Sequence, residues 1–154
     1  KNLDLAVSLQ GVQGNKIANI FRRYIDNMEG GNNCQIDALD RWVSEDNPGS
    51  GLVVRANRSA TGMNGTTSTW HIEDGSYLRI KNITLGYTLP KDWLSNVGIN
   101  HLRVYLSTQN PFTFTKYSGY NPEVNMKGNS LTPGIDYGTY PLAKSFVFGL
   151  NVTF

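Results

Sequence analysis

KSFVFGLNVTF, residues 144–154, alternates apolar and polar side chains almost without a break. One parity is entirely apolar and consists of Phe146, Phe148, Leu150, Val152 and Phe154. Because successive side chains of a β-strand point to opposite faces, the pattern predicts a strand with one apolar face. A terminal strand with this much apolar surface is expected to dock against a protein core or a lipid bilayer.

Three further segments alternate in the same way and are predicted to be strands. They are NLDLAVSLQGV (2–12), YLRIKNITLGYTL (77–89) and HLRVYLSTQNPFTFT (101–115). In the second segment the apolar parity changes after Ile80, so a β-bulge near Lys81 and Asn82 is expected to restore a single apolar face. Together with residues 144–154, the sequence predicts an all-β fold of four antiparallel strands.

The connections between these strands differ greatly in length. Residues 13–76 and 116–143 form two long connections that are rich in Asn, Gly, Ser and Thr, whereas residues 90–100 form a short turn. Consecutive antiparallel strands alternate in direction, so both long connections leave the sheet at one end and the short turn lies at the other. A connection as long as 13–76 is usually functional.

A short helix is predicted inside the first long connection. NKIANIFRRYIDNM, residues 15–28, has apolar side chains at three- and four-residue spacing, with charged side chains opposite. Asn15 is a suitable N-cap, and Gly30 and Gly31 would end the helix. A second short helix is expected at residues 36–43.

Composition alone does not decide whether the apolar faces of the strands contact a protein core or a lipid bilayer. At 154 residues the chain fits one soluble domain. No run approaches the roughly 18 apolar residues of a spanning helix, but the strands of a membrane barrel alternate and produce no such run. Three features favour lipid: strands of about ten residues, long connections on one side only, and aromatic residues at the strand ends.

The lipid hypothesis assigns each parity to one side of the sheet. The side chains predicted to face lipid are Leu3, Leu5, Val7, Leu9, Leu102, Val104, Phe146, Phe148, Leu150 and Val152. Those predicted to face a barrel lumen are Asp4, Ser8, Gln10, Arg103, Tyr105, Ser107, Gln109, Asn151 and Thr153. Four strands cannot close a barrel, and the chain begins at Lys1 without an initiator Met, so a segment of a longer protein is expected.

Several functional classes find no support in the sequence. A net charge of +2 without a basic block gives no electrostatic case for nucleic acid. His71 and His101 are the two histidines and have no metal-ligand spacing, and Cys34 is the single cysteine. No nucleophile motif is present. We therefore expect no enzyme activity, no cofactor and no metal.

Several motifs, taken in order, resemble the C-terminal end of the SusC/RagA-type TonB-dependent outer-membrane receptors. They are SYLRIKNITLGYTLP (76–90), LRVYLSTQNPFTFTKYSGYNPEV (102–124), GIDYGTYP (134–141) and KSFVFGLNVTF (144–154). LDLAVSLQGVQGNKI (3–17) and RW (41–42) resemble the strand and loop just upstream. The resemblance covers nearly the entire chain except about residues 45–70.

This resemblance implies a fold, an activity and partners. The four strands would be the last four of a large, roughly 22-stranded transmembrane β-barrel with a plugged lumen, and the predicted helix would lie in a long extracellular loop. Residues 13–76 and 116–143 would be extracellular loops and 90–100 a periplasmic turn. The family imports oligosaccharides or oligopeptides across the outer membrane of Gram-negative bacteria, driven by the TonB complex through upstream regions, with a SusD-like lipoprotein as a lid.

Two sets of residues are predicted to be functional. The resemblance implies that Phe146, Phe148, Leu150, Val152 and Phe154 form the signal for the barrel-assembly machinery. Aromatic and polar residues of the long connections are candidates for contact with the ligand or the lid, because aromatic platforms flanked by hydrogen-bonding groups suit sugars and peptides. These residues are Trp42, Trp70, Tyr117, Tyr120, Asn121 and Glu123.

A different class of protein gives an alternative hypothesis. In a soluble, surface-exposed carbohydrate-binding β domain, the same strands would form a sandwich or small barrel and the same aromatics would bind glycan. That domain would fold alone at 154 residues, whereas the transporter hypothesis predicts that this segment would not.

Overall fold

The computed structural model describes residues 2–30, 33–59, 62, 64–95, 98–125 and 133–154. The predicted helix stop at Gly31 and parts of all three connections lie outside the described residues. The chain divides into two units. The sheet unit comprises Lys1–Gly14, Ser76–Lys116 and Pro141–Phe154, and the loop unit comprises Asn15–Gly75 and Tyr117–Tyr140.

Strand is the most common regular structure in the described part of the chain. In chain order its strands and α-helices are β1 (Leu3–Val12), β2 (Lys16–Asn19), α1 (Arg22–Ile25), β3 (Ile72–Asp74), β4 (Tyr77–Thr88), α2 (Lys91–Leu94), β5 (His101–Thr115), β6 (Ile135–Asp136) and β7 (Ser145–Thr153). Two 3-10 helices, Ile36–Asp40 and Thr69–His71, lie between α1 and β3. No helix among the described residues is long and apolar enough to cross a membrane.

The sheet unit is one antiparallel sheet with the strand order β1-β4-β5-β7. Its register places the two predicted parities on opposite faces. One row across the strands is fully apolar and consists of Leu5, Leu85, Leu106 and Phe148. A row on the other face is fully polar and consists of Ser8, Asn82, Gln109 and Ser145. The all-β, antiparallel prediction is therefore confirmed.

The predicted bulge in β4 is also confirmed. Ser8 pairs with Asn82 and Leu9 pairs with Ile80, so Lys81 is an extra residue relative to β1. The pairing with β5 is irregular at the same place, and there Asn110 takes a φ of 48°. The extra residue brings the apolar side chains before and after it onto one face.

The apolar face of the sheet is exposed. Leu5 is 64% exposed and Phe148 is 67% exposed, although both lie in the middle of long strands. Soluble monomers rarely expose contiguous apolar patches larger than about 300–600 Å². An apolar face carried by four long strands is therefore expected to meet an apolar medium.

Hydrogen bonds link the side chains of the polar face. Thr84 Oγ1 lies 2.8 Å from Ser107 Oγ, and Asn82 Nδ2 donates to Ser107 Oγ at 3.2 Å. Arg103 donates from Nε and Nη2 to the two carboxylate oxygens of Asp4, at 3.1 and 2.6 Å. Polar groups are thus paired on this face of the sheet, as expected for a wall that is polar on one side only.

The loop unit contains a small sheet that the sequence did not predict. Its strand order is β3-β2-β6, with β2 antiparallel to β3 and parallel to β6. The helix predicted over residues 15–28 is therefore wrong for its first half, and only α1 is α-helical. Pairing with distant strands overrides the local periodicity. The second predicted helix, 36–43, is a 3-10 helix over Ile36–Asp40.

Candidate functional site

A small apolar core holds the loop unit together. Ile17 of β2 is fully buried and packs with Tyr117 and Val124, which are each 5% exposed. Ile17 lies in strand β2 and is the most buried residue of this core. The helical spacing of Ile17 with its neighbours therefore did not predict its structure. The core joins the first and second long connections.

Tyr117 is tied to Asp136 by a short hydrogen bond. The Tyr117 hydroxyl donates to Asp136 Oδ2 at 2.5 Å. The other oxygen, Oδ1, accepts from the backbone N–H of Gly138 and from the backbone N–H and hydroxyl of Thr139. Burial and the hydrogen bond to Asp136 raise the pKa of the Tyr117 phenol far above its ordinary value, so it remains a donor.

The same hydrogen bonds act in the opposite direction on the acid. Burial by itself would raise the pKa of Asp136, but donors from Tyr117, Thr139 and Gly138 stabilise the carboxylate, and its pKa lies below the ordinary value of 3.8. Asp136 is 3% exposed. It is therefore a buried charge with a full set of donors, which is the role of a structural anchor.

Glu73 is a second anchor in the loop unit. Its Oε1 accepts from Asn19 Nδ2 at 3.0 Å and from the Ser118 hydroxyl at 2.8 Å. Its Oε2 accepts from the Ser118 backbone N–H at 2.9 Å. Glu73 therefore links β3, β2 and the segment that follows Tyr117.

Arg22, at the start of α1, positions the ring of Trp70. The guanidinium carbon lies 4.7 Å from the centroid of the Trp70 ring, and Nη1 donates to the Trp70 carbonyl at 3.4 Å. Arg22 Nε bonds Asp26 Oδ2 at 2.5 Å, and Nη1 lies 3.6 Å from Glu73 Oε1. Cation–π contact and ion pairs together hold the indole in place.

The remaining predicted site residues have different surroundings. Trp42 lies under the Arg55 guanidinium at 6.0 Å, and Tyr120 is 74% exposed. Asn121 is buried, and its Oδ1 accepts the backbone N–H of Glu123 at 3.1 Å. Trp70 and Tyr120 thus present their rings at the surface, whereas Tyr117 and Asn121 are used in packing and loop geometry. Contact of all six with a ligand or lid stays a prediction.

Two cavities flank α1 in the loop unit, each of about 270 Å³. We call them the Trp70 cavity and the Tyr120 cavity after the predicted site residue in each wall. Their shared wall consists of Arg22, Ile25, Asp26, Gln35 and Asp37. The structure therefore brings two predicted aromatics to one concave region. Trp42, Tyr117, Asn121 and Glu123 line neither cavity.

Sequence reasoning missed the charged residues of this region. Arg22, Asp26, Asp37, Glu73 and Asp136 are single charged residues without a recognisable spacing. The GIDYG stretch that contains Asp136 was part of the family pattern, which was the one available signal. Among the described residues, no group of three or more His, Cys, Asp or Glu side chains is placed to hold a metal ion.

Two TonB-dependent receptors are similar in sequence to this chain over its whole length. It is 34% identical over 159 residues to TonB-dependent receptor P3 of Formosa agariphila, an alignment that covers 100% of this chain and 15% of that protein. It is 31% identical over 156 residues to TonB-dependent receptor SusC of Bacteroides thetaiotaomicron, covering 100% of this chain and 14% of that protein.

Solved structures match as well. The RagAB peptide transporter superposes with a TM-score of 0.79 at 29% identity, covering 100% of this chain and 16% of that chain. The RagAB peptide importer in its open-open state gives a TM-score of 0.77 at 29% identity, with the same two coverages. No protein-family model matches the chain.

Fold and comparisons together identify the chain. A sheet with one exposed apolar face and one hydrogen-bonded polar face is part of the wall of a transmembrane β-barrel. The chain is a C-terminal barrel segment of a SusC/RagA-type TonB-dependent receptor. It spans between 14% and 16% of the length of the relatives described above.

Proposed function

We propose that this chain forms part of a receptor that actively imports an oligopeptide or oligosaccharide across the outer membrane of a Gram-negative bacterium. The observation that carries the proposal is the four-stranded sheet, whose apolar side chains are exposed on one face. Such a sheet suits a lipid-facing wall. Similarity to TonB-dependent receptors over the whole chain supports the same conclusion.

In this proposal the long connections face the outside of the cell. Val12, Tyr77, Thr115 and Ser145 lie at one end of the sheet, where both long connections begin and end. α2, within the short turn, follows the other end of β4. Outer-membrane barrels place their long loops outside and their short turns in the periplasm. The soluble carbohydrate-binding domain would have to cover the apolar face of this sheet, which is exposed.

The proposed partners act at different places on the receptor. A SusD-like lipoprotein would close over the extracellular loops, and the TonB complex would supply energy through regions of the receptor outside this chain. The barrel-assembly machinery would recognise β7, in which Phe146, Phe148, Leu150 and Val152 share the apolar face and are followed by the exposed Phe154. The name of the RagAB peptide transporter supports peptide as one substrate class.

Energy-dependent uptake tests the proposal. Cells that carry the intact receptor would be compared with cells that lack it, using labelled oligopeptides and labelled oligosaccharides. We expect uptake of one class that requires the receptor and stops when the proton-motive force is collapsed. The proposal fails if the receptor is assembled in the outer membrane and uptake of both classes is the same without it.

A further inference from the structure

The Trp70 cavity gathers exposed apolar side chains of the loop unit around one concave site. Its larger apolar side chains are those of Ile25, Met28, Leu52, Val53, Val54 and Trp70. Leu52 is 67% exposed and Val54 is 44% exposed, so neither is used in the buried core of this unit. Exposed apolar side chains around a cavity are typical of a binding site.

The Trp70 ring is held in this wall by contacts within the loop unit. The Arg22 guanidinium lies over the ring, 4.7 Å from its centroid, and donates to the Trp70 carbonyl. Asp26 and Glu73 hold Arg22 in turn. The indole is nevertheless 42% exposed. An aromatic ring that is fixed before binding and still accessible lowers the entropic cost of capturing an apolar group.

Most polar side chains of the wall already have hydrogen-bond partners in the loop unit. They are Arg22, Asp26, Asn27, Asp40, Asn64 and His71. Asn64 Nδ2, for example, donates to the carbonyls of Asn27 and Arg55 at 2.7 and 2.9 Å. Gln35 and Asp37 are exposed and belong to the wall shared with the Tyr120 cavity. A polar ligand group would therefore compete with bonds already made, whereas an apolar group would not.

The size and chemistry of the cavity favour a particular occupant. A volume of about 270 Å³ suits one side chain rather than a whole oligomer. A sugar ring carries several hydroxyl groups, which would lose hydrogen bonds to water against aliphatic side chains such as Leu52 and Val54. An aliphatic or aromatic side chain has no such groups and gains from leaving water.

We propose that the Trp70 cavity is a subsite for an apolar side chain of an oligopeptide ligand. Leu52 and Val54 contact the apolar side chain from the wall, and the Trp70 indole packs against it. This inference rests on the proposed function, because it selects peptides from the two substrate classes named there.

Binding of matched peptides by the purified intact receptor tests the inference. The probe is a set of synthetic heptapeptides with blocked termini, each prepared with leucine and with asparagine at the same position. These two side chains are similar in shape and differ in polarity. The leucine form should bind about tenfold more tightly at the position that enters the cavity. Equal binding of the two forms at every position would overturn the inference.

Two matched pairs of variants connect the preference to this cavity. Leu52→Ser and Val54→Ser alter its wall, and each should lose most of the leucine preference. Leu39→Ser and Val43→Ser alter exposed side chains outside both cavities, and each should keep it. All four side chains are exposed, so each variant is expected to fold. A preference that is unchanged in both wall variants, or lost equally in the controls, would contradict the inference.

The proposed SusD-like lipoprotein is the competing occupant of the cavity. Its affinity for the receptor would be measured for the same four variants. If Leu52→Ser and Val54→Ser weaken its binding and leave the leucine preference intact, the cavity docks a protein side chain and the inference is overturned. Unchanged affinity together with a lost leucine preference supports the peptide subsite.

The outcome for the proposed function is separate. If the receptor imports peptides or a neutral oligosaccharide but binds the leucine and asparagine forms equally, the apolar subsite is refuted while the import function stands. If the assembled receptor imports neither peptide nor oligosaccharide, the proposed function itself fails.

Discussion

The two units of this chain differ in where their long-range apolar contacts lie. In the loop unit the apolar side chains Ile17, Tyr117 and Val124 are buried, as in any water-soluble domain. In the sheet unit the apolar row that crosses all four strands is exposed, with Leu5 64% and Phe148 67% exposed. A buried apolar cluster in one unit and a continuous exposed apolar row in the other are the arrangement expected when part of a chain meets water and part meets lipid.

The difference is also visible in how polar groups are used. In the loop unit the apolar core is small, and the several hydrogen bonds that Asp136 and Glu73 each accept add to it. In the sheet unit the backbone ladder supplies most of the order, and side-chain hydrogen bonds add pairs across the polar face. The loop unit should therefore be sensitive to single polar substitutions, and the sheet unit to charges on one face.

The largest effect is expected for a charge on the apolar face. Val7→Arg and Leu150→Arg should each cost about 2–4 kcal/mol near the bilayer midplane, because a guanidinium is costly to place in hydrocarbon. Their neighbours provide matched controls, and Ser8→Arg and Asn151→Arg should cost far less. Urea unfolding of the intact receptor in lipid vesicles measures the difference. Equal destabilisation by arginine on the apolar face and on the polar face would refute the assignment of the two faces.

The next effect should come from the buried anchor Asp136. Tyr117→Phe removes the donor to Oδ2, and Asp136→Asn removes the charge that four donors surround. Each should destabilise the loop unit by about 1–3 kcal/mol, the cost of leaving a buried polar group unsatisfied. Hydrogen exchange should show faster exchange at Gly138 and Thr139, with β4 and β5 unchanged. Faster exchange throughout β4 and β5 would show that the two units do not respond separately.

Acid should weaken the same anchor. The pKa of Asp136 is lowered below 3.8 in the folded state. The ionised carboxylate therefore stabilises the loop unit above pH 3.8, and this stabilisation is lost as the pH falls through the folded pKa. We expect hydrogen-exchange protection of residues 133–139 to decline below about pH 4. The decline should be shallower in Asp136→Asn. An identical acid dependence in the two proteins would remove Asp136 as its cause.

The smallest effect should follow from Ile17→Val. Ile17 is fully buried, so removal of one methylene should cost about 0.5–1.5 kcal/mol in the loop unit. Ile72→Val, on the neighbouring strand, is a control because Ile72 is 50% exposed and should tolerate the change. Local hydrogen exchange in β2 and β3 measures both. A cost at Ile72 equal to that at Ile17 would contradict the proposed core.

The sheet could be predicted from the sequence because its signal is local. Alternation along each strand shows which side chains share a face, and even the bulge at Lys81 follows from the change of parity after Ile80. The small sheet of the loop unit could not be predicted in this way. Ile17 satisfies helical spacing with its neighbours, and the strands that pair with β2 lie far away in sequence, at Ile72–Asp74 and Ile135–Asp136.

The candidate site was predictable only in part. Exposed aromatics in a long connection drew attention to Trp70 and Tyr120, and both line cavities. Tyr117 looked equivalent in sequence but is buried against Ile17, because burial depends on the non-local core. The hydrogen bonds that surround Glu73 and Asp136 depend on which side chains meet in the fold, and no sequence pattern carries that information.

The most direct test of the central claim is the side of the membrane on which each connection lies. Cys34 is exposed in the first long connection, and Trp93 is 68% exposed in the short turn. A membrane-impermeant maleimide would be applied to intact cells carrying the receptor with Cys34, or the receptor with Cys34→Ser and Trp93→Cys. We predict labelling at Cys34 in intact cells, and labelling of the Trp93→Cys variant only after the outer membrane is opened. Labelling of Trp93→Cys but not of Cys34 in intact cells would contradict the account.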